Sequence, residues 1–158
     1  MPSSAQAAAA PRLELERFLP YRLSVLSNRV SGAIAKQYSS RFDLSIPEWR
    51  VMAVLGGTPN LSAREVAQRT AMDKVQVSRA VQSLLKAKRL QREKHPHDGR
   101  SAHLSLTAKG QAIYDEIAPL ALHLEELFLS ALTPLERAAF DKLMAKLARQ
   151  ASLLGANP

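Results

Sequence analysis

The stretch "LSAREVAQRTAMDKVQVSRAVQSLL", residues 61–85, predicts two short helices joined by a tight connection. Ser62 followed by Glu65 is typical of a capping box, in which two side chains satisfy backbone N–H groups at a helix start. Asp73 and Gln76 repeat this spacing. The apolar residues that follow recur at a helical period, namely Val77, Val81, Leu84 and Leu85. The stretch therefore predicts a helix-turn-helix.

Further helices are predicted on both sides of this stretch. Apolar residues at helical spacing predict a long first helix over about 20–41. Capping boxes with a proline near the helix start predict helices that begin after Ser45 and after Thr133. Thr107 is expected to cap another long helix, and the last helix is expected to end near Leu154.

Two short segments between these helices predict strands. They are "LQRE" (90–93) and "AHLSL" (102–106), and the turn-forming "HPHDG" (95–99) separates them. Glycine allows a tight turn, so Arg100 is expected to project from the tip of a β-hairpin, and Asp98 is expected to hold the tip in shape. An arginine on a narrow loop suits the electronegative minor groove of DNA.

The predicted fold class is mainly α with a small β-hairpin wing, that is, a winged helix-turn-helix with long N- and C-terminal dimerisation helices. The winged part is assigned to 45–107 and the helical dimerisation region to 13–44 and 108–158, within one folding unit. Residues 1–12 are expected to form a disordered tail.

Apolar residues of the outer helices predict a homodimer. One small core cannot easily cover them, and a second copy of the chain can. They are Leu13, Leu15, Leu19, Leu120, Leu124, Leu127, Leu132, Leu143 and Leu147.

The positive charge is concentrated in one segment of the chain. There are 22 Lys and Arg against 14 Asp and Glu, which gives a formal net charge of +8. Residues 73–110 hold nine basic and three acidic residues, whereas residues 111–158 are net negative. A basic segment of this kind favours a nucleic-acid partner, here double-stranded DNA. The residues assigned to DNA contact are Ser62, Lys74, Gln76, Ser78, Arg79, Gln82, Asp98 and Arg100.

Other classes of protein are disfavoured. The absence of cysteine excludes disulfides and thiolate metal sites. No signal peptide and no apolar run of about 18 residues is evident, so a cytoplasmic protein that does not enter the membrane is expected. No nucleophile elbow or glycine-rich phosphate loop is present, so neither enzymatic activity nor a cofactor is expected. His95, His97 and His103 lie close together, but no acid or thiol is arranged with them as a ligand set, which disfavours a metal site.

Three segments resemble the MarR family of dimeric winged-helix transcriptional regulators. They are the opening stretch, "LSIPEWRVMAVL" (44–55) and "HPHDGRSAHLSLTAKG" (95–110), and the resemblance extends over about 20–150. It implies that the helix over 73–87 enters the major groove, that Arg100 enters the minor groove and that the terminal helices form the dimer.

The chain departs from the family pattern at two places. Lys88 stands where the family usually has the glycine that ends the recognition helix, so a left-handed residue at this position would cost more. Val75 and Gln76 replace the common Ser-Thr pair, which implies a different base preference.

The resemblance also implies a small aromatic acid or phenol as effector. Cations suit a carboxylate and rings suit stacking. The candidate residues are Arg22, Tyr38, Trp49, Arg50 and Tyr114.

Together these features predict a ligand-responsive, sequence-specific regulator of transcription. It is expected to be a repressor that binds a pseudo-palindromic operator and is released by its effector. The alternatives are a ligand-independent activator or architectural DNA-binding protein, or a protein-interaction module with a basic face.

Overall fold

The computed structural model describes residues 12–94 and 102–155, and most of these residues are helical. A short 3-10 helix (Leu15–Arg17) precedes α1. The elements that follow are α1 (Leu19–Ala35), α2 (Ser39–Phe42), α3 (Ile46–Gly57), β1 (Leu61–Ser62), α4 (Ala63–Thr70), α5 (Lys74–Lys86), β2 (Leu90–Lys94), β3 (Ala102–Leu106), α6 (Ala108–Leu129) and α7 (Pro134–Gly155). The tail predicted over 1–12 lies outside the described residues except for Arg12.

Three helices begin at the capping boxes that the sequence predicts. At α3, the Ser45 hydroxyl accepts the Glu48 N–H, and the Glu48 carboxylate accepts the Ser45 N–H at 2.7 Å. Ser62 with Glu65 and Thr133 with Glu136 make the same pair of bonds at α4 and α7. These predictions are confirmed, and they fix where α3, α4 and α7 start.

The prediction of a single first helix over 20–41 is wrong after Ala35. The helix α1 ends at Ala35, and a turn separates it from the short α2. In this turn the Tyr38 N–H bonds to the Ala35 carbonyl at 3.1 Å, a tighter pattern than that of an α-helix. The turn brings the Tyr38 ring into the core, where it is only 1% exposed. The sequence does not reveal this break because Tyr38 also falls on the apolar face of an unbroken helix.

The predicted hairpin strands are present, and a third strand accompanies them. β2 pairs with β3 in antiparallel fashion, with Leu90 opposite Leu106. On its other edge β3 pairs with β1, with Leu61 opposite Leu104, so the strand order is β1-β3-β2. The sequence predicts only two strands, because a two-residue strand shows no alternation of apolar and polar residues.

The core lies within the winged part of the fold, between its helices and its sheet. Helices α3, α4 and α5 and the sheet contribute most of the fully buried side chains. These include Val51, Met52, Leu55, Val66, Val77, Val81, Leu84, Leu90 and Leu104. This packing fixes the position of α5 relative to the sheet.

The outer helices are poorly covered. Helices α1 and α7 contain no buried residue, although they are 17 and 22 residues long. Of the nine leucines predicted to be in surplus, Leu124 and Leu132 are half-buried and the other seven are exposed. Within 12–94 and 102–155, none of the helices combines the length and the apolar character that a membrane span requires.

Candidate nucleic-acid interface

The helix α5 presents a polar face to solvent and an apolar stripe to the core. Asp73 caps the helix by accepting the Gln76 N–H at 2.8 Å, which fixes its first turn. The stripe that faces α3 and α4 consists of Val77, Ala80, Val81 and Leu84. The structure brings five of the predicted DNA-contact residues together on the exposed side of α5, namely Lys74, Gln76, Ser78, Arg79 and Gln82.

A groove of about 1010 Å³ lies between α4, α5 and β2. Lys74 and Ser78 line it from α5, Arg64 from α4 and Arg92 from β2. Neither Arg64 nor Arg92 is among the DNA-contact residues predicted from the sequence. Arg92 was counted within the basic segment, but only the sheet register and the packing of β2 beside α5 place it in this groove.

Ser62 has a structural role in addition to its predicted one. Its hydroxyl accepts the Glu65 N–H and donates to the Glu65 carboxylate at 2.7 Å. The hydrogen bonds from Ser62 lower the pKa of Glu65, so this carboxylate is ionised at neutral pH. A contact from Ser62 to a DNA phosphate would require its hydroxyl hydrogen to leave Glu65.

The end of α5 is a Schellman motif with lysine at the left-handed position. The Arg89 N–H bonds to the Leu84 carbonyl at 2.9 Å, and the Lys88 N–H bonds to the Leu85 carbonyl at 3.0 Å. Lys88 has φ of 56°, which confirms the left-handed conformation expected from the family pattern. The exit from α5 is therefore defined by backbone bonds, with lysine at the position where the family pattern has glycine.

The start of α6 is joined to this exit. The Thr107 hydroxyl donates to the Lys88 carbonyl at 2.8 Å, and the Lys109 ammonium donates to the Ala87 carbonyl at 3.2 Å. Gly110 packs so closely that a Cβ built on it would overlap the Arg89 carbonyl oxygen. A movement of α6 would therefore move the end of α5.

Arg89 connects the same corner to the other side of the fold. Its guanidinium donates to the Asp43 carbonyl at 3.2 Å and also to the Phe42 carbonyl, where α2 ends. The carboxylate of Glu48 faces Arg89. Burial raises the pKa of Glu48, but hydrogen bonds from Ser45 and Ser83 outweigh burial and leave it below its ordinary value.

Three of the five effector candidates form one aromatic cluster. The ring centroids of Tyr38 and Trp49 are 5.6 Å apart, and those of Trp49 and Tyr114 are 5.9 Å apart in a stacked arrangement. The Tyr114 ring also lies against Gly56 of α3, where an added Cβ would be 2.5 Å from it. Glycine at this position therefore permits the close approach of α6 to α3.

The two predicted arginines lie in different places. Arg50 is half-buried beside this cluster, and its guanidinium donates to the Ser31 hydroxyl at 3.5 Å. Burial raises the pKa of Tyr38 to about 12, against the opposing charge of Arg50, so Tyr38 is neutral at physiological pH. Arg22 lines a separate groove of about 410 Å³ along α1, and none of the other four candidates lines that groove.

The sequence profile of the MarR family matches residues 42–101, from the last residue of α2 to the residue before β3. The chain therefore contains a MarR-family domain over these residues. Its relatives are regulators of transcription.

Two of these relatives show the extent of the sequence likeness. The regulator BilQ of Clostridium symbiosum is 30% identical over 95 residues, which cover 60% of this chain and 66% of BilQ. The repressor Rv2887 of Mycobacterium tuberculosis is 27% identical over 131 residues, which cover 82% of this chain and 91% of the relative.

Solved structures of MarR-family regulators share the fold. A MarR/EmrR family regulator from Acinetobacter sp. ADP1 superimposes with a TM-score of 0.81 at 24% identity, over 89% of this chain and 99% of that one. BpsR of Bordetella bronchiseptica superimposes with a TM-score of 0.71 at 26% identity, over 82% of this chain and 98% of BpsR. The winged helix-turn-helix predicted from the sequence is thereby confirmed.

Part of the predicted MarR-family wing lies outside the described residues. This applies to Asp98 and Arg100, and to His95 and His97 of the histidine group. His103 is half-buried on β3, opposite Ser62. Within 12–94 and 102–155, no group of three His, Cys, Asp or Glu side chains is arranged to hold a metal ion.

Proposed function

We propose that this MarR-family chain is a homodimeric, cytoplasmic repressor that binds a pseudo-palindromic operator and leaves it when a small aromatic acid or phenol binds. The observation that carries this proposal is the exposed face of α5. Five long or hydrogen-bonding side chains share that face, and the opposite stripe anchors the helix to the core.

This face suits the major groove of DNA. Side chains near the amino end of a recognition helix reach base edges, and glutamine and arginine can each form paired hydrogen bonds to one base. Gln76 and Arg79 occupy that part of α5, while Lys74 and Ser78 lie beside the groove that Arg92 also lines. Gln76 and Arg79 are therefore assigned to bases, and Lys74, Ser78 and Arg92 to phosphates.

The outer helices are assigned to the dimer interface. Helix α7 buries none of its side chains within one chain and exposes Leu135, Phe140, Leu143 and Leu147. Apolar area of this size is removed from water by a second copy of the chain. The assignment gives residues 13–44 and 108–158 to dimerisation and residues 45–107 to DNA.

Binding to DNA is tested by fluorescence anisotropy of labelled duplexes at several salt concentrations. We expect affinity to fall steeply with salt and one duplex sequence to be preferred over bulk DNA. Sedimentation should give twice the 17.3 kDa of one chain. Salt-dependent binding without sequence preference would instead support an architectural protein. Absence of DNA binding would support the protein-interaction module.

The aromatic cluster is proposed as the effector site. Trp49 and Tyr114 offer ring faces, and Arg50 offers a cation to a carboxylate. Two fold relatives respond to or hold ligands: DNA binding by BpsR is regulated by 6-hydroxynicotinic acid, and PcaV of Streptomyces coelicolor was solved with its natural ligand. The cluster spans α3 and α6, and α6 is joined to the end of α5, so a ligand there can alter the spacing of the two recognition helices.

The effector proposal is tested by a thermal-shift screen of aromatic acids and phenols, followed by release from DNA. A ligand that binds the folded protein raises its melting temperature by mass action. Arg50→Gln should remove the shift, whereas Arg149→Gln on α7 is a matched control that should keep it. If both variants respond like the parent, the effector site lies elsewhere.

A further inference from the structure

Val75 is an exposed apolar side chain on an otherwise polar surface. It is 59% exposed, at the second position of α5. Among the described residues, every other large hydrophobic side chain that is exposed lies within 13–26 or 120–154. Those two ranges belong to the outer helices, so Val75 stands alone on the winged part of the fold.

The position of Val75 on the helix is more informative than its exposure, because isolated apolar residues on a surface are common. At about 100° per residue, the four buried residues of α5 lie between about 140° and 240° around the helix axis from Val75. Val75 therefore points directly away from the core. Arg79 lies one turn further along on the same side.

Stability of the helix does not explain a valine here. A β-branched side chain loses rotamer freedom in a helix, and an exposed one buries no apolar area in return. The Asp73 cap already fixes the helix start. A molecule that covers this face would remove the exposed methyl groups of Val75 from water, which the helix itself does not do.

We propose that Val75 contacts the 5-methyl group of a thymine in the major groove, so that each operator half-site carries a T·A pair at this position. The inference rests on the proposed operator binding. The thymine methyl is the apolar feature of the major-groove edge, whereas guanine, cytosine and adenine present hydrogen-bonding groups. Valine can satisfy none of these groups, so covering one of them would leave it unpaired.

The contact also divides the reading of the half-site between neighbouring residues. Gln76 and Arg79 carry hydrogen-bond donors, while Val75 carries only methyl groups. The three side chains therefore read different kinds of base edge. Specificity at the Val75 position depends on shape complementarity and on the exclusion of water. It is insensitive to salt because the contact involves no charges.

The experiment uses the full chain and a duplex selected by it from a random pool. Each thymine of the selected half-sites is replaced in turn by deoxyuridine, which removes only the 5-methyl group. At one position per half-site we expect an affinity loss of about fourfold, the value for one buried methyl-sized group. Val75→Ala alters both subunits, so it should show about the square of this loss, roughly sixteenfold, on the thymine duplex and no further loss on a duplex with deoxyuridine at this position in both half-sites.

Two controls keep the result specific. Val75→Thr preserves the branched shape and one methyl group, so it should retain part of the sensitivity to deoxyuridine. Circular dichroism should show unchanged folding of Val75→Ala, because alanine is a better helix former than valine.

The proposal is overturned if no deoxyuridine substitution weakens the parent protein, or if Val75→Ala loses the same factor on both duplexes. If the protein selects a DNA sequence but binds the thymine and deoxyuridine duplexes equally well, operator binding stands and only the proposed role of Val75 is refuted. If the protein selects no DNA sequence, both operator binding and the Val75 contact are refuted.

Discussion

Replacing Lys88 by glycine is expected to stabilise the protein. Lys88 has φ of 56°, in the left-handed region that glycine adopts without a side-chain clash. Its side chain is exposed, whereas its N–H and carbonyl are both hydrogen-bonded, to Leu85 and to Thr107. The substitution therefore removes strain and leaves the bonds of the Schellman motif in place.

The magnitude follows from two opposing effects at Lys88. The left-handed conformation costs a residue with a Cβ roughly 1–2 kcal/mol. Glycine loses about 0.5–1 kcal/mol more conformational freedom on folding than alanine does. The free energy of unfolding should therefore rise by about 0.5–1 kcal/mol. For a protein of this length that corresponds to a melting temperature higher by about 1–4 °C.

The measurement is thermal and urea unfolding of Lys88→Gly at a fixed chain concentration. Lys86→Gly is the matched control, because Lys86 is an exposed lysine in the last turn of α5, with helical geometry. It should lower the free energy of unfolding by about 0.5–1 kcal/mol. If Lys88→Gly destabilises as much as Lys86→Gly, the account of the end of α5 is refuted.

Three further predictions concern other parts of the fold. Gly56→Ala should lower the free energy of unfolding by about 1–3 kcal/mol, because the new methyl group collides with the Tyr114 ring. Gly57→Ala is the control, since its methyl group would meet open space, and thermal unfolding of the two variants distinguishes them. Gln76→Ala should lose roughly 1–3 kcal/mol on the operator and relax preference at particular bases; equal losses on random DNA would indicate a phosphate contact. Arg100→Ala should lower the salt slope by about one charge and weaken binding according to the flanking sequence, and an unchanged slope would contradict a minor-groove contact.

Local signals in the sequence predict the helix starts well. A capping box is formed by residues three apart, so Ser45 with Glu48 and Thr133 with Glu136 are readable without knowledge of the fold. The left-handed conformation of Lys88 can also be predicted from the sequence, because the family pattern has glycine at that position.

Long-range packing could not be predicted in the same way. The break after Ala35 depends on how the Tyr38 ring meets the core, and β1 exists only because β3 lies beside it. The contact of Arg89 with the α2–α3 corner joins residues more than 40 positions apart. A periodicity within one segment carries no information about such contacts.

The same limit applies to the candidate site. The exposed face of α5 follows from helical spacing, so Lys74, Gln76 and Arg79 were assigned from the sequence. Arg64 and Arg92 enter the groove only through the packing of α4 and β2 against α5. Among the effector candidates, residue type alone could not predict that Arg50 lies beside the aromatic cluster whereas Arg22 lies in a separate groove along α1.

Selection of binding sequences from a random DNA duplex pool tests the central claim most directly. A dimer that presents two α5 helices should enrich two inverted half-sites whose centres lie about one helical turn, roughly 34 Å, apart. The arrangement of half-sites in the enriched sequences reports both the symmetry of the dimer and reading by α5. Enrichment of inverted half-sites at this spacing is the predicted result. Enrichment of a single half-site, or of no sequence, would contradict the account.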